Sequence, residues 1–118
     1  MKSKYFSQKE FVCDGVNCFD KMSNNLLKML YEAREVAGVP FVITSSWRSE
    51  EVNKMVGGKS NSAHLRGTAV DIACRNSAHR FEIVDALIVA GFTRIGIGNS
   101  FIHADCDEDL VNSVIWLY

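Results

Sequence analysis

Two of the three histidines in this chain stand beside carboxylates in settings that a solvated histidine does not need. His103 lies in FIHADC, where strand alternation puts it on the face of Phe101 and Asp105, opposite Ile102 and Ala104. Asp71 sits in TAVDIAC among small apolar residues, and a buried carboxylate is costly unless positive charge meets it. His64 precedes Asp71 across a turn containing Gly67, which can fold its imidazole back over the strand. Two imidazoles and one carboxylate, with a fourth place left to water, form the ligand set of a catalytic zinc site. A divalent cation would supply the charge that Asp71 needs. The competing readings are a carboxylate bonded to loop N–H groups and two histidines satisfied in the core. No local signature as sharp as a helical H-E-x-x-H decides between them. His79, at a helix start, reads as a surface residue, and Asp107, Glu108 and Asp109 read as a solvated acidic turn.

The elements that must position these groups follow from periodicity. Leu26, Leu27, Leu30, Ala33 and Ala37 recur at helical spacing, which predicts a helix over 24–36 with Ser23 as N-cap and Gly38 and Pro40 as its stop. FVITSSW then reads as a buried strand, and SEEVNKMV as a short helix closed by Gly57 and Gly58. In 68–74 the bulky Val70 and Ile72 alternate with Ala69, Asp71 and Ala73, so the face that carries Asp71 can line a pocket. A further helix starts at Ser77 or Ala78, with Phe81, Val84, Leu87 and Ile88 expected on its buried side and Gly91 ending it. Gly98-Asn99 predicts a two-residue hairpin between TRIGIG and SFIHADC. SVIWLY reads as a last strand closing over the core. The sum is an α+β domain with a mainly antiparallel sheet flanked by helices.

The 118 residues are 47% hydrophobic and 23% charged, which fits one globular domain over 1–118. A net charge of -1 gives no basic field to hold a polyanion, so nucleic acid is not an expected partner. No apolar run is long enough to span a bilayer, and the start of the chain does not read as a signal peptide. Synthesis in the cytoplasm, with no membrane partner and a monomeric state, is the expectation. Cys13, Cys18, Cys74 and Cys106 match no zinc-finger spacing and are expected as thiols; a second metal at Cys13 and Cys18 lacks companion ligands.

Taken together, ITSSWRS, SAHLRGTAVDI, RIGIG, FIHAD and the closing WLY resemble the zinc D-Ala-D-Ala carboxypeptidases and the phage L-alanyl-D-glutamate peptidases, a family sharing its fold with the hedgehog signalling domain. The resemblance runs from about Phe6 to Tyr118, and its specific part is S-x-H-x-x-G-x-A-x-D, matched by Ser62, His64, Gly67, Ala69 and Asp71. It implies a hedgehog/DD-peptidase-like fold and zinc held by His64, Asp71 and His103. It also implies Arg48 as the group that binds a substrate carboxylate or carbonyl, and Ser62 as a substrate-binding hydroxyl. The implied substrate is a peptidoglycan stem peptide, cut by a carboxypeptidase or an endolysin-type endopeptidase at the bacterial cell wall, with a phage origin among the possibilities.

Many members of that family carry an acid or a histidine two or three residues before the last ligand. Here Ser100 and Phe101 stand there, and neither can act as a base. Asp105 is the nearest carboxylate on the right strand face; it either takes the proton or orients His103. The missing base leaves room for an alternative from another class, a zinc-stabilised module that binds peptidoglycan or a protein without cleaving it.

Overall fold

The computed structural model describes residues 5–118, so Met1–Lys4 of the expected 1–118 domain lie outside the described residues. Helix α1, Asn24–Val36, has the predicted bounds, with the Ser23 hydroxyl accepting the Leu26 N–H; it buries Leu26, Leu27, Leu30 and Ala33. Helix α2, Glu50–Met55, is capped by Ser49, and α3 spans Ser77–Val89 with Asn76 as its cap. A five-stranded sheet is built from β3 (Ile43–Ser45), β4 (Ala69–Ala73), β5 (Arg94–Ile97), β6 (Phe101–Asp105) and β7 (Val114–Leu117), in the order β3-β4-β6-β5-β7. A separate small ribbon, β1 (Val12–Cys13) and β2 (Val16–Asn17), is joined by Asp14 and Gly15.

Helices α1 and α3 pack on one face of the large sheet, against Val70, Ile72, Ile95, Ile102 and Ala104. Strand alternation then sends Asp71, His103 and Asp105 to the other face. The register fixes their neighbours, with Asp71 opposite His103, Gly96 opposite His103, and Arg94 opposite Asp105. No described helix is long and apolar enough to cross a membrane.

Several expectations are corrected. The sheet is mixed, not mainly antiparallel: β5 pairs β7 in parallel, because the chain leaves β6 and crosses to the far edge before pairing. β7 closes that edge rather than the core, leaving Ile115 and Leu117 exposed and turning Trp116 toward the His103 face. In α3 the buried residues are Ile83, Ala86 and Leu87, while Phe81 and Ile88 are exposed. Apolar residues lie on more than one side of this helix, so periodicity alone does not choose the stripe; the small Ala86 falls in the one that meets the core. The β5–β6 connection has three residues, 98–100, and is closed by Gly98 N–H donating to Phe101 O at 2.9 Å.

Gly67 is the residue on which the entry to β4 turns. It takes φ 69° at the end of the 3-10 turn Ala63–Arg66, and its carbonyl accepts the Ser23 N–H at 2.9 Å. A Cβ there would lie 2.1 Å from the Lys21 carbonyl oxygen. Gly67→Ala therefore combines a left-handed penalty with a backbone clash and is expected to cost more than about 1 kcal/mol. A fall in the urea midpoint of unfolding checks this.

Candidate metal centre

The short turn that carries His64 is locked onto the segment after β3 by three hydrogen bonds. Arg48 N–H donates to His64 O at 3.0 Å, the Trp47 indole N–H donates to Leu65 O at 3.1 Å, and His64 Nδ1 donates to Ser46 O at 2.7 Å. The last contact fixes the tautomer and leaves the Nε2 lone pair facing inward. Ser62 caps the same turn, its hydroxyl accepting the His64 N–H at 3.2 Å.

Asp71, from the middle of β4, meets that inward nitrogen: His64 Nε2 is 3.3 Å from Asp71 Oδ1. His103 Nδ1 approaches the same oxygen at 3.1 Å. The two imidazoles lie edge to face with centroids 5.1 Å apart. The three candidate ligand atoms all fall within 4.8 Å of one another, and all three residues are buried. The donor set suits a divalent cation: two imidazole nitrogens and one carboxylate, each histidine holding an oxygen partner on its other ring nitrogen. The three expected ligands are thus brought together.

The ring nitrogen of His103 remote from the cluster, Nε2, donates to Asp105 Oδ2 at 2.6 Å. The second oxygen of Asp105 accepts from Arg94 Nε at 2.8 Å and from the Asp107 N–H at 3.2 Å. At 1% exposure, Asp105 has both oxygens committed and lies behind His103 as seen from Asp71. Arg48 donates from Nη2 to Asp71 Oδ2 at 3.3 Å, and is itself held by Ser45 Oγ at 3.1 Å and Asn53 Oδ1 at 3.3 Å. It lines a cleft of about 390 Å³ that has Asp71 on its wall. What meets Asp71 among the described residues is therefore two imidazoles and a guanidinium. Burial disfavours its charge, but the hydrogen bonds and charges of His103 and His64 prevail and hold it far below the ordinary carboxylate range. Burial likewise works against a charged His103, and hydrogen bonds to Asp105 and Asp71 outweigh it, so its pKa is raised.

Trp116 and Tyr118 form an aromatic wall beside His103, with centroids 5.4 and 6.4 Å from the imidazole. Only glycine fits beneath them, since a Cβ on Gly96 would come within 2.6 Å of the Tyr118 ring and 2.7 Å of the Trp116 indole nitrogen. His79 is exposed, as expected. Asp107 is not solvated: it is 6% exposed and accepts from Arg66 Nε at 2.6 Å and Thr68 Oγ1 at 2.8 Å. Sequence reasoning had no partner for it because Arg66 and Thr68 lie far away in the chain. Ser46, Asn53 and Arg94, which hold His64, Arg48 and Asp105, were also missed. All four cysteines are unbridged.

The family model for Peptidase M15 matches residues 4–105. The chain belongs to the peptidase M15 family. Among solved structures, it is similar to the crystal structure of the Serratia marcescens L-Ala D-Glu endopeptidase ChiX, with TM-score 0.59 and 19% identity over 75% of this chain and 82% of that one. That likeness is one of fold. No curated protein matches significantly.

Asp107 yields a test of how the turn carrying His64 is held. Burial acts to raise its pKa, but the hydrogen bonds from Arg66, Thr68 and the Asp109 N–H prevail, so it lies below the ordinary 3.8. A depressed folded-state value contributes stability that is full above the unfolded value and is lost as pH falls through the folded one. Asp107→Asn is expected to lower stability at pH 7 by about 1 to 3 kcal/mol. The gap from wild type should narrow below about pH 4, as urea denaturation at several pH values would show.

Proposed function

We propose that this M15 peptidase is a zinc enzyme that hydrolyses peptide bonds in the stem peptides of peptidoglycan, acting at the bacterial cell wall. The observation that carries the reading is the convergence of His64 Nε2 and His103 Nδ1 on Asp71 Oδ1, with Asp71 itself on the wall of a cleft that also presents Arg48. The family assignment and the likeness in fold to the L-Ala D-Glu endopeptidase ChiX support it. His64, Asp71 and His103 would hold the ion. Zinc bound there supplies Lewis-acid polarisation of the scissile carbonyl and a water acidified toward neutrality.

The remaining work falls to the chain's own groups. Arg48, steadied by Ser45 and Asn53, keeps N–H groups for a substrate carboxylate or the oxyanion, and a planar fork suits either better than an ammonium would. The Ser62 hydroxyl proton is available to a substrate carbonyl while its oxygen caps the His64 turn. Asp105 is assigned the orienting role rather than proton transfer, because both its oxygens are engaged on the side of His103 away from the cluster. It holds the Nε2 proton and so presents Nδ1 to the ion.

Incubation of purified peptidoglycan with the protein, followed by mass spectrometry of released fragments, tests the reading. Stem-peptide fragments are expected, and they should vanish with a chelator and with His64→Ala. Intact peptidoglycan in the presence of zinc would overturn it in favour of binding without cleavage. Asp105→Asn is expected to weaken zinc affinity or turnover about 10- to 100-fold, read by competition with a chromogenic chelator and by kcat. Unchanged affinity with a shifted pH–rate profile would instead return Asp105 to the base role.

A further inference from the structure

The cleft beside the metal cluster continues well past Arg48. Asp71, Ala73 and Arg75 all line it, as strand alternation along β4 requires. The ladder persists past the end of β4, through Cys74 N–H to Ser100 O at 2.9 Å. Arg75 lies four residue steps of extended chain beyond Asp71, about 13 Å along the floor, and the small Ala73 between them leaves that floor open. Asp14, from the turn joining β1 and β2, lines the same cleft.

Four charged side chains therefore border this space. Arg48 and Asp71 are paired at 3.3 Å. Arg75 and Asp14 are exposed, and neither has a hydrogen bond or ion pair with any described residue. An unpaired guanidinium and an unpaired carboxylate in one cleft, not neutralising each other, are complementary to a ligand group that carries both an anionic and a cationic head.

We propose that Arg75, about 13 Å along the strand from Asp71, and Asp14, on the wall of the same cleft, form a second recognition subsite for a stem-peptide side chain bearing a carboxylate and an ammonium group together. The assignment rests on the peptidoglycan reading above and narrows its substrate class: a diaminodicarboxylic residue is selected over a simple diamino one. Arg75 reads the carboxylate and Asp14 the ammonium. Both act on specificity, remote from the bond that is cut.

The test uses three synthetic peptides, L-Ala-γ-D-Glu-X-D-Ala, in which X is meso-diaminopimelate, its side-chain carboxamide, or L-lysine. Kd is measured by calorimetry on chelated protein, where hydrolysis is blocked, and kcat/KM on zinc-loaded protein. Wild type is expected to favour the free carboxylate over the carboxamide and over lysine by about tenfold, the size of one charge-assisted contact. Arg75→Gln should erase that preference, and Asp14→Asn should weaken the three peptides alike. Both side chains are exposed, so circular dichroism of the variants should match wild type. Equal binding of acid and carboxamide by wild type, a preference that survives Arg75→Gln, or no binding of any peptide overturns the subsite. Selective binding without hydrolysis upholds the subsite and counts against the enzymatic reading instead.

Discussion

A carboxylate placed in the middle of a sheet strand is the constraint from which the rest of this site follows. Asp71 is 8% exposed, and its charge survives there because two imidazoles and a guanidinium converge on its two oxygens. Each partner is in turn held from behind: His64 by a backbone carbonyl, His103 by Asp105, and Arg48 by Ser45 and Asn53. Removing one member of such a cluster leaves an uncompensated buried charge, which costs far more than the pair contributes. The stretch 46–48, the 3-10 turn, β4 and β6 are therefore tied to a single arrangement by electrostatics as well as by packing.

The sheet divides the labour between its faces. Val70, Ile72, Ile95, Ile102 and Ala104 give one face to helices α1 and α3 and supply the hydrophobic core. The other face pays for that stability with polar groups that only a closed network can satisfy, and it has one. Arg94 illustrates the economy of the arrangement: it neutralises Asp105, and its guanidinium lies 5.0 Å from the centroid of Trp116. The edge strand β7 is thereby coupled to the histidine that it screens.

Much of this was legible in the chain. Helix α1 could be read to the residue because its apolar spacing is clean and both ends carry stop signals. The alternation in 68–74 set Asp71 apart from Val70 and Ile72, that in 101–105 put His103 and Asp105 on one face, and the turn at Gly67 allowed His64 to fold back toward them. Arg94 was not within reach, since a two-residue turn at Gly98-Asn99 would set it opposite His103, and only the longer connection over 98–100 brings it opposite Asp105. Asp14-Gly15 carried an ordinary hairpin signal. What could not be read were contacts decided by tertiary packing: the stripe that α3 buries, the parallel docking of β7, and the pairing of Asp107 with Arg66. In each case the deciding partner is distant in sequence, and local periodicity holds no information about it.

The order of strands has a kinetic corollary. β4 and β6 are neighbours in the sheet, yet the whole of α3 and β5 lies between them in the chain, and β7 must pass over to the opposite border before it can pair. Such pairings demand loop closure before any contact rewards it, which slows assembly relative to a helical bundle of equal size. His103 arrives with β6, so a nascent chain can collapse around α1 and its first strands while His64 and Asp71 still lack the partner that completes the buried cluster.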